Sequence, residues 1–394
     1  MKKTVLSLFL LLASKLTYAQ QNILSEQAEM SVLTIGPGTS LNDSFGHSAF
    51  RIKDPVKGID VVFNYGVYDF NTPHFYTKFA QGKLNYLMGL NYYEDFFEAY
   101  TSQNRSIKEQ VLNLSQTEKQ KLFNYLLNNY KPENRAYLYD FFYDNCATKM
   151  KDVLQNVLNN AIVFNKPQDF QPKTFRTLIQ ENLHKNSWGS LGIDVALGSV
   201  IDRKTSAEEE MFLPENIHKF FEIARIKNTN KPLVKENKVL YKAVPTPKPT
   251  DFFTSPLVVF GIIGLFILYR TYTDFKKHTR SRWLDVTLFS ITGLVGILIL
   301  LLWFATDHKG THQNYNLLWA FVLNIFVMGQ VVRVNPSAWF VRYLKFLVIL
   351  LCLLTFHWIV GVQVFAIGLI PLLIALLVRY VFLIGFYKAD SIEL

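Results

Sequence analysis

Apolar positions fall into three regimes along this chain, and the boundaries between them set its organisation. At the start, MKKTVLSLFLLLASKLTYAQQ places Lys2 and Lys3 before an apolar run from Val5 to Ala13, followed by the short residues Thr17 and Ala19. That order predicts a secretory signal over residues 1–19, cut near Ala19, because the apolar run is too short to span a bilayer. From about residue 22 to 250, apolar, aromatic and polar residues mix, over a length that can bury one sizeable core. From Phe252 onward apolar runs dominate: 252–269, 284–305, 315–332, 343–360 and 362–386 each have the length and composition of a membrane helix. The pattern predicts an exported domain over 22–227, a linker over 228–251 containing the extended PTPKP, and an all-α membrane domain of five helices over 252–388.

Within the exported region, SVLTIGPGTSLNDSFGHSAFRI opens as a β-like run, crosses a loop of turn-forming residues and resumes as a strand from Ser48 to Ile52. GIDVVFNYGVYDF is a second, β-branched and aromatic strand, and the KDPVKG turn between them predicts a hairpin. His47 then stands at the mouth of one strand, with Asn64 and Tyr65 on its neighbour. Further on, Ser115 and Glu118 have capping-box spacing ahead of Leu122, Tyr125, Leu126 and Tyr130, which predicts a helix ending near Lys131-Pro132. In YDNCATKMKDVLQNV, Asp144 or Asn145 is an N-cap, and Cys146, Met150, Val153 and Val157 fall on one helical face. Residues 75–100 are rich in Phe and Tyr; core packing, the wall of an acyl-chain cleft and a surface dipping into the lipid interface all fit that composition.

Charge adds an orientation. The net charge is +10, and much of the excess sits between apolar segments: Arg270, Lys276, Lys277, Arg280 and Arg282 in one loop, Arg333, Arg342 and Lys345 in another. Basic loops stay in the cytoplasm, which puts residues 22–250 and the TDHKGTHQN loop outside and the KADSIEL terminus inside. No clustered basic face marks the soluble region, so nucleic acid is not an expected partner. The membrane segments hold few ionisable groups, and Asp285, Arg379 and His357 lie near their ends, a pattern for anchoring or lipid delivery rather than ion transport.

The only cysteines are Cys146 and Cys352, the second inside a membrane segment, so the exported domain carries an unpaired thiol in an oxidising compartment. At the first turn of a helix, unpaired N–H groups and the helix dipole lower a thiol pKa, and a nearby imidazole adds the proton relay that acyl transfer needs. His47 is the histidine best fixed by local structure; His74, His184 and His218 lie in turns or polar surroundings. Asn64 is the choice for the third, orienting group, with Ser44, Asp140 and Asn145 as competitors. Backbone N–H groups of Asn145 and Cys146 are the expected oxyanion donors. His308 and His312 lie four apart on an outward loop without a third ligand nearby, so no metal or cofactor is expected.

SFGHSAFRI, FNYGVYDF and YDNCATKMKD resemble the Lnb-type N-terminal periplasmic domain, a family of bacterial membrane enzymes that look like lipoprotein N-acyltransferases. The histidine-first, cysteine-later order resembles a circularly permuted papain-like (NlpC/P60-type) fold, so the fold class implied is α+β followed by the helical bundle. The resemblance covers about residues 25–250 and implies a Cys146 nucleophile and a His47 base. This chain has Lys149 where the family pattern often has arginine, which loses bidentate geometry.

The expected function is therefore acyl transfer at the outer face of the bacterial inner membrane. The resemblance implies a phospholipid acyl donor and, as acceptor, the amine of a diacylglyceryl-cysteine lipoprotein; the residues themselves supply a membrane-tethered Cys/His pair. Two alternatives stand beside it: a membrane-anchored cysteine peptidase or amidase acting on peptidoglycan, which calls for a polar open cleft, and a non-catalytic scaffold in which Cys146 is simply buried.

Overall fold

Residues 23–168, 170–227, 229–245 and 252–389 are described in a computed structural model of the chain; the expected signal over 1–19 lies outside them. Seven antiparallel strands form the main sheet: β1 Glu29–Ile35, β2 His47–Asp54, β3 Ile59–Val67, β4 Asn85–Tyr92, β5 Ile107–Leu112, β6 Ala136–Leu138 and, after a small three-stranded sheet of β7 Ile162–Val163, β8 Arg225–Ile226 and β9 Lys231–Pro232, the edge strand β10 Val234–Tyr241. The order across the sheet is β10-β5-β1-β2-β3-β4-β6. The region expected to be a linker over 228–251 is thus partly sheet. Strand β10 pairs with β5 through Val239 and Lys108, and its mostly exposed polar residues disguised it as a tether.

Alternation along the central strands divides the core between the two faces of the sheet. Val32, Phe50 and Phe63 point to the side covered by the helices Gln116–Tyr130, Cys146–Val157 and Pro214–Ile223. Leu33, Ala49 and Val62 point to the other side, against Phe96 of the helix Tyr93–Thr101. With both faces covered, β1 is buried nearly throughout, which is why its sequence shows little polar alternation. Met150 and Leu154 of the cysteine helix are fully buried, each contributing roughly 1.5–3 kcal/mol of apolar burial.

The membrane region has four helices long and apolar enough to cross a bilayer among the described residues: Pro256–Lys276, Arg282–Phe304, Ala338–Ile359 and Ile370–Ala389. The expected helix over 315–332 is instead irregular, with tight turns at Tyr315–Leu318 and Val322–Asn324 and one short helical turn at Met328–Val331. This segment runs beside Arg282–Phe304 from its outer end, where Thr311 donates to the Leu302 carbonyl, to its other end, where Arg280 donates to the carbonyls of Val331 and Arg333. Its backbone lies where a Cβ on Gly296 would stand 2.2 Å from the Ala320 oxygen and one on Gly293 would stand 2.7 Å from the Ile325 nitrogen. Non-helical backbone survives at membrane depth only when protein buries it, and Asn324, fully buried, supplies polar partners by donating to Thr292 and accepting from the Tyr343 hydroxyl. At the opposite end from the soluble domain, buried Arg379 bonds Asp274 and Asp285, and Arg280 takes the second oxygen of Asp285. Two cations thus balance two anions.

The soluble domain is bonded to this bundle through backbone and buried amides. Asn314 donates to the carbonyls of Val195 and Ala196, Asn316 to that of Asp194, and the Gly198 and Ser199 N–H groups to the carbonyls of Gly310 and Gln313. Arg176 organises the receiving loop: its buried guanidinium bonds Asp194 at 2.7 Å, Asp202 at 2.8 Å and the carbonyls of Leu197 and Gly198. Arg176→Ala leaves two buried carboxylates without a cation and is expected to cost about 3–5 kcal/mol. Thermal unfolding in detergent checks this, and adding Asp194→Asn and Asp202→Asn to the Arg176 variant should recover part of the loss.

Candidate active site

His47 begins β2, and its position is prepared by the residue before it. Gly46 has φ of 79°, and a Cβ there would stand 2.6 Å from the Ile35 carbonyl, so only glycine lets the loop close on β1 and release His47 at the sheet's end. On the adjacent strand, the Asn64 side-chain oxygen bonds His47 Nε2. Tyr100 stacks on the imidazole with ring centroids 6.1 Å apart and planes 23° apart. Arg105 lies under Tyr100, 4.8 Å from its centroid, and ties the loop leading to His47 by bonding the Gly36 carbonyl and Asp43.

Cys146 is the first residue of the helix Cys146–Val157. Asn145 is the N-cap: its side-chain oxygen accepts from the N–H groups of Ala147 and Thr148, and its amide donates to the carbonyls of Phe141 and Phe212. The Asn145 N–H donates to the Thr148 hydroxyl at 2.8 Å. Asn145 is therefore at the helix N-terminus as expected, but its own N–H is already engaged and is not free for an oxyanion. Gly66, with φ of 95°, keeps the neighbouring β3 backbone close to Cys146, where a Cβ would stand 3.8 Å from both the Cys146 Cβ and the Tyr139 ring.

The cysteine and histidine side chains, about a hundred residues apart in sequence, lie close enough for each to shift the other's titration. Burial pushes the Cys146 thiol up, but the neighbouring His47 and nearby backbone N–H groups outweigh it and leave the thiol below its ordinary value. Burial likewise pushes His47 down, and the Cys146 thiolate and the Asn64 oxygen bring it above its ordinary value. The lowered thiol and the raised imidazole move toward one another, the direction a Cys–His proton relay requires.

The other candidates do different work. Ser44 donates to the Ser40 carbonyl, and Asp140 accepts from the N–H groups of Phe142 and Tyr143 to shape the approach to the cysteine. Lys149 pairs with Asp144 at 2.6 Å and lies over Tyr137. His308 bonds the Phe79 carbonyl, and the described residues hold no group of three or more metal-ligating side chains. Sequence reasoning missed Tyr100 and Arg105, since neither sits in a motif; the Gly before His47 was a visible signal of a close approach. A polar cavity of about 310 Å³ lies beyond Asn64, lined also by Asp43, Asn91, Tyr100, Gln103 and Arg105, but not by Cys146 or His47.

A soluble α/β domain carrying a Cys–His–Asn constellation and docked on a helical membrane region defines a class of membrane-anchored periplasmic proteins. The chain belongs to the Lnb family: residues 15–181 match the Lnb N-terminal periplasmic domain and residues 248–390 the Lnb transmembrane domain. No curated protein and no solved structure matches it. The family is consistent with a role in lipoprotein modification.

Alkylation of Cys146 in a Cys352→Ser background tests the pair. The thiolate–imidazolium form exists above the depressed thiol pKa and below the raised imidazole pKa. The wild-type rate should therefore inflect below the ordinary thiol value of about 8.5. In His47→Ala the inflection should rise, because burial loses its main opponent; Asn64→Ala should shift it the same way by less. Identical inflections in wild type and His47→Ala would remove the pair.

Proposed function

We propose that this protein is a thiol acyltransferase that moves a fatty acyl chain from a glycerophospholipid, through a Cys146 thioester, to the α-amine of diacylglyceryl-cysteine lipoproteins. The observation that carries the reading is the meeting of Cys146, at a helix start, with His47, bonded by Asn64, on a domain hydrogen-bonded to the membrane bundle. The two substrates are those that the family resemblance implies. The soluble domain is assigned a permuted papain-like fold, since histidine on a strand precedes cysteine at a helix start. It faces the periplasm, and the C-terminus faces the cytoplasm with the basic loops.

In the first half-reaction the Cys146 thiolate attacks the donor's ester carbonyl, and the oxyanion forms near the helix N-terminus, where the Cys146 N–H is the proposed donor. Collapse breaks the ester C–O bond. His47 gives its proton to the departing glycerol oxygen, leaving a thioester and a lysophospholipid. In the second half the acceptor's neutral amine attacks the thioester, His47 takes the amine's proton, and the thiolate leaves as the amide forms.

The polar cavity beyond Asn64 is the one observation that favours a cell-wall peptidase or amidase instead. Its lining places it behind the imidazole, and it does not include the thiol that would have to attack.

Intact mass on the detergent-solubilised protein, incubated with phospholipid and quenched in acid, is the test. An added fatty-acyl mass, removed by hydroxylamine and absent from Cys146→Ala, is the expected result, with the adduct at least about a hundredfold slower to form in His47→Ala. An unmodified wild-type protein that instead cleaves peptidoglycan fragments would make the peptidase reading the better one.

A further inference from the structure

The aromatic richness of residues 75–100 left core packing and a lipid-facing wall equally open, and the ring positions now separate them. Tyr139 flanks Gly66 opposite Cys146, and burial together with the Cys146 charge pushes its hydroxyl pKa up. From there rings continue in unbroken contact: Tyr139 stacks on Tyr86 at 4.3 Å, Tyr86 meets Tyr68 at 5.4 Å, Tyr68 meets Phe75 at 5.8 Å, and Phe75 stacks on Phe79 at 6.5 Å. The far end reaches the membrane domain. The Phe79 carbonyl bonds His308, and the Gln81 carbonyl accepts from the Asp307 N–H, just past the end of the membrane helix Arg282–Phe304. Phe79 is 53% exposed and its neighbour Tyr76 77%, near a helix end where Trp303 and Phe304 stack, residue types favoured at a membrane interface. Phe75 is buried, but core packing alone would also bury Phe79 and Tyr76 rather than leave the end of the track open next to the membrane helix.

We infer that this ring track is the acyl-chain channel. It begins at the nucleophile and ends at the bilayer surface, and the ligand that joins those two points is a long-chain acyl group, its carbonyl at Cys146 and its tail running over Tyr86 and Phe75 to Phe79. The inference rests on the acyltransferase reading and deepens it. Each ring covers successive methylenes that would otherwise meet water as the chain is drawn from the lipid, and the wall is continuous, so chain length is read by how many rings are engaged.

Activated nitrophenyl esters of butanoic and hexadecanoic acid test the channel on the full-length protein in detergent, with nitrophenol release and the Cys146 adduct mass as readouts. Tyr86→Ala and Phe79→Ser are expected to lower the ratio of hexadecanoyl to butanoyl acylation rates by about tenfold, since the short chain does not extend along the track. The two variants differ in folding risk, Phe79 being exposed, and an unchanged thermal midpoint keeps the comparison valid. An unchanged ratio in both, or equal loss with both esters, overturns the channel while leaving the Cys146 thioester standing. Failure of both esters to label wild-type Cys146 brings down the thioester reading and the channel with it.

Discussion

The arrangement depends on placing two titratable side chains, Cys146 and His47, together where burial disfavours charge. Cys146 and His47 are each only partly exposed, and for each of them burial is the largest single influence on titration, opposing ionisation. What reverses the sign is that the two groups are buried together and fixed dipoles meet them: backbone N–H groups near the sulfur, the Asn64 oxygen on the imidazole. Those dipoles cost nothing to reorganise because the sheet and a capped helix already hold them. The Asn145 cap therefore matters to chemistry without touching a reactant. By consuming the Ala147 and Thr148 N–H groups and anchoring to the Phe141 and Phe212 carbonyls, it fixes where the helix starts, and so where the sulfur sits.

A second constraint is imposed by the bilayer. A soluble domain on a flexible tether would sample many orientations, whereas here backbone hydrogen bonds from Gly198 and Ser199, buried asparagines and the Arg176 cluster join it to the bundle at several points. The irregular segment between the second and third membrane helices makes this docking possible. A regular helix there would bury its amides within itself; the tight turns after Asn314 and Asn316 instead leave side-chain amides free to reach the carbonyls of residues 194–196. Glycines at 293 and 296 let that non-helical backbone press against its neighbour.

Much of this was legible in the chain itself. The helix from Ser115 and the helix starting at Cys146 were announced by their caps and apolar spacing, and the β2–β3 hairpin by its turn, because those signals are local. The His47–Asn64 adjacency followed from the hairpin, since antiparallel neighbours bring the two strand ends together. What was not legible depends on partners distant in sequence. The 315–332 segment is apolar enough for a helix, and only its contact with Gly293 and Gly296 and its polar anchors show that it is not one. Strand β10 pairs with β5 across more than a hundred residues, and its exposed lysines carry no sign of that pairing. Tyr100 and Arg105 likewise reach His47 only through the fold.

The same geometry bears on why acyl transfer and not hydrolysis suits the site. A thioester formed on a water-filled surface would be lost to solvent, whereas here the sulfur lies between a β-strand, a helix N-terminus and the tyrosines at 137 and 139, whose hydroxyls burial and the nearby Cys146 charge both keep protonated. In the proposed reaction, rings on that side shield a thioester that awaits a second substrate. In the proposed reaction the acceptor is itself lipid-anchored and so confined to the same surface, which raises its local concentration over that of a soluble amine. A membrane-docked thiol walled by aromatics thus favours a pair of substrates that share the bilayer, and a soluble peptide would gain nothing from either feature.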